Sequence, residues 1–146
     1  MKAILMAFLI VAFIPSFFSL VSHEDLSSQA KSIALNYVLF RGAAMNYAAA
    51  AEPKPNGTLS LSNLAPYLPQ EYAMRREWNA QVINSVLYVW GIANEQEITA
   101  VREMMHNPFS IGTAENGFLY PMAPKAVTIP PSIPDGALVG ITGGMS

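Results

Sequence analysis

The side chains able to do chemistry are few and scattered. The two histidines, His23 and His106, lie far apart in sequence, and neither sits in a spaced cluster of carboxylates or imidazoles. His106 and Ser110 are four residues apart, but Pro108 lies between them and no acid stands nearby to orient the imidazole as a base. Glu95 and Glu97 are two apart on a predicted helix and so point to different faces, which rules out a paired-carboxylate acid and base. Glu103 adjoins Arg102 and reads as part of a solvated face. There is no cysteine, so thiol nucleophiles, disulfides and thiolate metal sites are excluded. A glycine-rich phosphate loop ending in Lys-Ser or Lys-Thr and a Gly-x-Ser-x-Gly elbow are both missing. The expectation is a protein that is not an enzyme, with no catalytic, metal or cofactor residues and no cofactor. The competing expectation, a secreted enzyme or small binding domain, rests on His106 and Ser110 alone.

Charge narrows the partners. Eight basic residues stand against ten acidic ones, a net charge of −2, and the basic residues form no stripe. A nucleic-acid partner held by phosphate neutralisation therefore has no footprint.

The element that organises the chain is its first apolar run, Ala3 to Ser22 (AILMAFLIVAFIPSFFSLVS), which carries no charge. About 20 such residues at about 1.5 Å each span the roughly 30 Å hydrocarbon core of a bilayer. The run predicts a membrane anchor over residues 1–22, made by Ile4, Leu5, Phe8, Leu9, Ile10, Val11, Phe13, Ile14, Phe17, Phe18, Leu20 and Val21. A cleaved signal peptide competes with it. The length of the run, and Leu20 where a small residue should precede a cut after Ser22, favour the anchor. Lys2 before the run, with Glu24 and Asp25 after it, places the N-terminus in the cytoplasm and the rest of the chain outside. Residues 23–146 then form one extracytoplasmic domain, large enough to bury a core without staples.

Within that domain, Glu24 to Ala51 predicts a long amphipathic helix. Leu26, Ala30, Ile33, Tyr37, Phe40, Ala44 and Ala48 recur at steps of three and four and form one stripe. Two roles are open to that stripe: covering the chain's own sheet, or meeting another subunit or partner. Leu26, Ile33, Tyr37, Phe40, Ala44 and Ala48 are therefore candidate interaction residues. Pro53 and Asn56-Gly57 end the helix. A short helical turn is predicted at Leu61 to Ala65, packed through Leu64, Tyr67 and Leu68, and Gln70 to Arg76 reads as an exposed connection. Trp78 to Ile92 alternates as a β-hairpin turning at Asn84-Ser85, with Trp78, Ala80 and Val82 on one side of its first strand and Val86, Tyr88 and Trp90 on one side of its second. Both tryptophans and Tyr88 are expected to fill the core. Asn94 and Glu97 form a capping box for a helix over Glu95 to His106, with Ile98, Val101, Met104 and Met105 as its apolar face. A second hairpin turns at Glu115-Asn116-Gly117. Lys125 to Ile129 and Ala137 to Thr142 read as short strands which the surrounding prolines confine to sheet edges or a loose tail. The fold class is α+β: an N-terminal transmembrane helix, then a long amphipathic helix packed on a small antiparallel sheet with a Pro/Gly-rich C-terminal part from about residue 121.

The uncharged run, the amphipathic helix ending in alanines, the Pro/Asn/Gly turn, Leu59-Ser-Leu-Ser-Asn-Leu64 with Tyr67-Leu-Pro69, and Val86-Leu-Tyr-Val-Trp-Gly91 together resemble the PilM proteins of conjugative-plasmid thin pili. The resemblance implies a small bacterial inner-membrane accessory component of type IV pilus biogenesis, in the pilin transport apparatus or pilus basal body, with no catalytic residues. The expected partners are the membrane and other pilus-assembly proteins, with a homo-oligomer left open by the second role of the helix stripe. The layout is also similar to that of pilins and minor pilins, so a filament subunit is the alternative. Prepilins, however, carry a glycine at the peptidase cut and a glutamate in the apolar stretch, and neither residue occurs between Met1 and Val21.

Overall fold

The computed structural model describes residues 28–106, 108–122 and 124–143. The proposed anchor, Leu26 and the start of the long helix lie outside the described residues. Among those described, no helix is long and apolar enough to cross a membrane.

The first described element is a helix, α1, over residues 28–50. The chain then runs through strand β1 (Gly57–Leu59), a short helix α2 (Leu61–Leu64), a 3-10 turn (Ala65–Tyr67), β2 (Asn79–Ile83), β3 (Val86–Gly91), helix α3 (Glu95–Met104), β4 (Ile111–Glu115), β5 (Phe118–Tyr120) and β6 (Leu138–Thr142). The strands make one six-stranded sheet, β1-β2-β3-β6-β4-β5, with every pair antiparallel. The chain is α+β.

Local chemistry sets the boundaries. Asn84 and Ser85 both take positive φ (49° and 64°), as do Asn116 and Gly117 (51° and 81°). This is the backbone twist that a two-residue hairpin turn requires. Helix α2 opens on Ser60, whose hydroxyl accepts from the Asn63 N–H while the Asn63 side chain returns to the Ser60 N–H. Helix α3 opens on the predicted Asn94/Glu97 box and ends at Met104, two residues before the expected His106, which takes φ 57° just beyond the helix.

The sheet is covered on both faces. On one face, α1 lays down Ile33, Tyr37, Phe40, Ala44 and Ala48 against Trp78, Ala80, Val82, Leu87, Val89, Ile111 and Leu138. Tyr37 is fully buried. Its ring meets that of Trp78 edge to face, with centroids 5.1 Å apart, and its hydroxyl donates to the Val89 carbonyl at 2.9 Å. On the reverse face a smaller core gathers Trp90, Ala114, Leu119, Ile129, Ile133, Ala137 and Val139, flanked by Tyr88, Val127 and Ile141.

Three expectations are corrected by this arrangement. Tyr88 and Trp90 share a side, but that side is the reverse face, because Leu87 and Val89 alternate toward α1. Of α3's predicted apolar face only Val101 is fully buried. Met104 is 38% exposed, and Ala100 takes its place in the core. The segment Leu138–Thr142 is neither an edge nor a loose tail: it is a central strand between β3 and β4. The prolines before it stand in the connection that packs on the reverse face, and the strand itself contains none. Its other predicted companion, Lys125 to Ile129, forms only an isolated bridge at Thr128 to Phe118.

Candidate interaction site

Among the described residues no group of three His, Cys, Asp or Glu side chains is gathered closely enough to hold a metal ion. His106 is exposed just past α3, and no hydrogen bond joins it to Ser110. What the structure offers instead is two buried polar ties, at Asn36 and Glu97, and several apolar side chains facing out.

The candidate stripe is spent inside the chain. Ile33, Tyr37, Phe40, Ala44 and Ala48 are 8%, 0%, 3%, 0% and 0% exposed, so of the two roles open to them they cover the chain's own sheet. A neighbour approaching this helix meets the opposite face.

Helix α1 is held in place by a polar latch that the sequence reading missed. Asn36 lies on the buried arc between Ile33 and Tyr37 and is 9% exposed. Its side-chain oxygen accepts from Trp78 Nε1 at 2.8 Å and from the Arg75 N–H at 2.9 Å, and its amide donates to the Ala73 carbonyl at 2.9 Å. The Tyr72 hydroxyl stands 3.0 Å from the Asn36 backbone carbonyl and 3.2 Å from its side-chain oxygen, and donates to one or the other. The connection Gln70 to Arg76, read as merely exposed, thus supplies the groups that fasten α1. An asparagine interrupting an apolar stripe was the available signal, since asparagine is a poor residue for a helix interior unless its amide is used.

A second tie sits beside the first. Glu97 is 3% exposed. It accepts from the Asn94 N–H at 3.1 Å to close the helix cap, and it receives Arg76 through Nη2 at 2.5 Å and Nε at 3.4 Å. These hydrogen bonds, and then the carboxylate's charge, raise the pKa of the Arg76 guanidinium. One buried carboxylate therefore both starts α3 and anchors the chain entering β2.

Burial also acts on the two phenols of this region. It pushes Tyr72 up to about 12 and raises Tyr37 further, against the opposing charge of Arg41. A phenol that ionises later in the folded chain than in the unfolded one stabilises the fold fully below about pH 10, and that contribution is lost as pH rises through its folded value. Urea midpoints measured in a series from pH 9 to pH 12 are expected to fall above pH 10, with a shallower fall in Tyr72→Phe. An equally steep fall in that variant would remove Tyr72 from the account.

Outward-facing apolar groups are spread over the described surface, Ile92 (61% exposed), Leu61, Tyr67, Met74 and Met104 singly, and others in two places. Phe109 (70% exposed), Tyr120 (57%) and Met122 (51%) gather around the β4–β5 edge. The register pairs Thr113 with Tyr120, so the residues before β4 and after β5 lie at the same end of that hairpin. The outer face of α1 carries Leu35 (51%) and Leu39 (36%).

A long helix crossing an all-antiparallel six-stranded sheet defines a helix-on-sheet α+β domain. The sequence matches the PilM family over residues 9–141, and the chain belongs to that family, which places it among proteins of pilus biogenesis. A crystal structure described as PilM from Escherichia coli B7A shares the fold at a TM-score of 0.58, with 19% sequence identity over 80% of this chain and 94% of that one. None of the curated proteins matches.

Proposed function

We propose that the chain is a non-enzymatic accessory component of type IV thin-pilus assembly in conjugation, held in the bacterial inner membrane by residues 1–22 and acting through protein contacts. Its N-terminus is cytoplasmic and its domain, residues 23–146, is periplasmic, where it meets other pilus-assembly proteins. The observation that carries this reading is the span of the family match. It takes in most of the uncharged run together with nearly all of the folded domain, so the two belong to one working unit. The scaffold supports it too, since it turns apolar side chains outward, as a surface for proteins does.

Spheroplasts carrying the chain with an N-terminal tag test the arrangement. Added protease is expected to digest the domain and leave a short tagged fragment in the membrane. A soluble periplasmic product lacking Met1 to Ser22 would defeat the anchored reading. Shearing the cells separates the remaining alternative, because a basal component stays with the membrane and a filament subunit leaves with the sheared fraction.

A further inference from the structure

We infer that Asn56 is a site of covalent modification: the Asn56-Gly57 pair rearranges through a cyclic imide to aspartate and isoaspartate, while the other Asn-Gly pair, Asn116-Gly117, is protected by the fold. The two dipeptides are chemically identical, and both asparagines are exposed. Backbone conformation separates them.

The reaction consumes water and releases ammonia. The Gly57 backbone nitrogen gives up its proton and bonds to the side-chain carbonyl carbon of Asn56, Cγ. The Cγ–Nδ2 bond breaks, and ammonia leaves with that proton. Water then opens the five-membered ring, its hydroxyl going to one ring carbonyl carbon and its proton to the Gly57 nitrogen. Opening at Cγ leaves aspartate. Opening at the backbone carbon leaves isoaspartate, in which the main chain runs through the side chain and is one methylene longer. A following glycine favours the attack because it has no side chain to shield the nitrogen, and around Gly57 even an added Cβ would meet nothing within 4 Å.

Ring closure needs the following nitrogen on the same side of the Cα–C bond as Cβ. Asn116 and Gly117 both take positive φ, 51° and 81°, which makes their turn type I′. As the mirror image of type I, it holds its first residue at a ψ of about +30°, and the Gly117 nitrogen then stands nearly opposite Asn116 Cβ. Turning it round would flip a peptide that the hairpin uses. Glu115 pairs with Phe118 across the turn, the Asn116 N–H donates to Asp135 Oδ1 at 3.0 Å, and the Gly117 carbonyl accepts from the Ile129 N–H at 2.9 Å. Asn84-Ser85 is locked in the same way, at φ 49° and 64° between the paired Ile83 and Val86. Asn56 closes no hairpin and does not take positive φ, and among the described residues the bonds that pin Asn116 have no counterpart there. Its glycine opens β1, an edge strand of three residues whose Leu59 reaches the core. Isoaspartate therefore puts a carboxylate and an extra methylene directly before β1 and loosens it.

The full chain, aged in mildly alkaline buffer, digested and mapped by mass spectrometry, tests the assignment. Peptide in which NH2 has been exchanged for OH is expected to build up at Asn56 at least tenfold faster than at Asn116 or Asn84, with the circular dichroism of the folded chain retained. Aged in urea, the two Asn-Gly pairs are expected to react alike, since unfolding removes the turn. Asn56→Gln is expected to abolish the fast product and to leave the slow ones unchanged. Equal rates at Asn56 and Asn116 in the folded chain overturn the inference, and so does a tenfold gap that survives in urea, which would place the difference outside the fold. Hydrogen exchange at Thr58 and Leu59 reads the consequence. It is expected to be faster in the aged chain than in Asn56→Asp, which carries the charge without the methylene; equal exchange overturns the loosening of β1.

Discussion

Replacing Asn36 with alanine is expected to lower the folding stability by about 3 kcal/mol, more than any exposed substitution on α1. The side chain accepts from Trp78 Nε1 and the Arg75 N–H and donates to the Ala73 carbonyl. Removing it strands the buried Trp78 N–H and leaves the Arg75 N–H, on a more exposed residue, without its partner; a buried group left unpaired costs about 1–3 kcal/mol, and the other lost bonds add to it. Trp78 is 3% exposed, so its indole N–H has no route to solvent without moving the ring from Tyr37. The consequence is wider than one hydrogen bond, because the latch fixes the angle at which α1 crosses the sheet. Urea unfolding of Asn36→Ala against Asn36→Asp measures it. The aspartate keeps both acceptor roles and loses the donation to Ala73, so it should fall between wild type and alanine. Equal stability of alanine and wild type would show that the latch is replaced by water.

How much of this was legible in the sequence depends on the range of the interaction. The two hairpins, the turn residues with positive φ and the Asn94/Glu97 cap were readable because each is settled within about five residues. The buried stripe of α1 was readable because helical period marks a face. Which of its two possible neighbours it meets was not, since a period names a side and leaves the partner open. Leu138–Thr142 was misplaced because proline density was counted over the whole C-terminal stretch. The prolines serve the connection across the reverse face, and Leu-Val-Gly-Ile-Thr is free of them. Its central place depends on pairing with β3, some fifty residues earlier in the chain, and no local signal carries that. Tyr88 and Trp90 illustrate the same limit. Alternation showed that they share a side, but the second core they fill exists only once residues 127–137 have folded back beneath the sheet. The latch on Asn36 needs groups from residues 72–78, so an asparagine in an apolar stripe was a signal without an address.

The surfaces and the latches belong to one design. A component of the kind proposed above has to present apolar groups without letting them collapse into its own core. Here Asn36, part-way along α1, and two hairpins help to fix the interior, and Leu35, Leu39, Phe109, Tyr120 and Met122 are among the apolar side chains left outside it. Glu97 shows how economical the fastening is, since loss of that one carboxylate would release the N-terminus of α3 and the approach to β2 together.

The second large effect is expected at Gly112, where alanine should cost about 3 kcal/mol, the upper part of the range for overpacking. A Cβ at this position would fall on the Tyr120 carbonyl oxygen and lie 2.8 Å from its carbonyl carbon, with the Pro121 ring 3.3 Å away. Those are backbone atoms of the neighbouring strand and a ring with no freedom to rotate aside, so no change of rotamer relieves the clash. The hairpin must open instead, and β4 is joined on its other side to β6 through Ile111, Gly112 and Thr113, so the disturbance reaches the centre of the sheet. Gly42 is the internal control in the monomeric chain. An added methyl there meets nothing, and in a helix interior the change from glycine to alanine stabilises by up to about 1 kcal/mol. Thermal unfolding of the two alanine variants should therefore move in opposite directions. If Gly112→Ala unfolds with the wild type, the β4–β5 edge is looser than its packing requires. In that case the outward placement of Tyr120 and Met122, which depends on the same close crossing, would lose its structural basis.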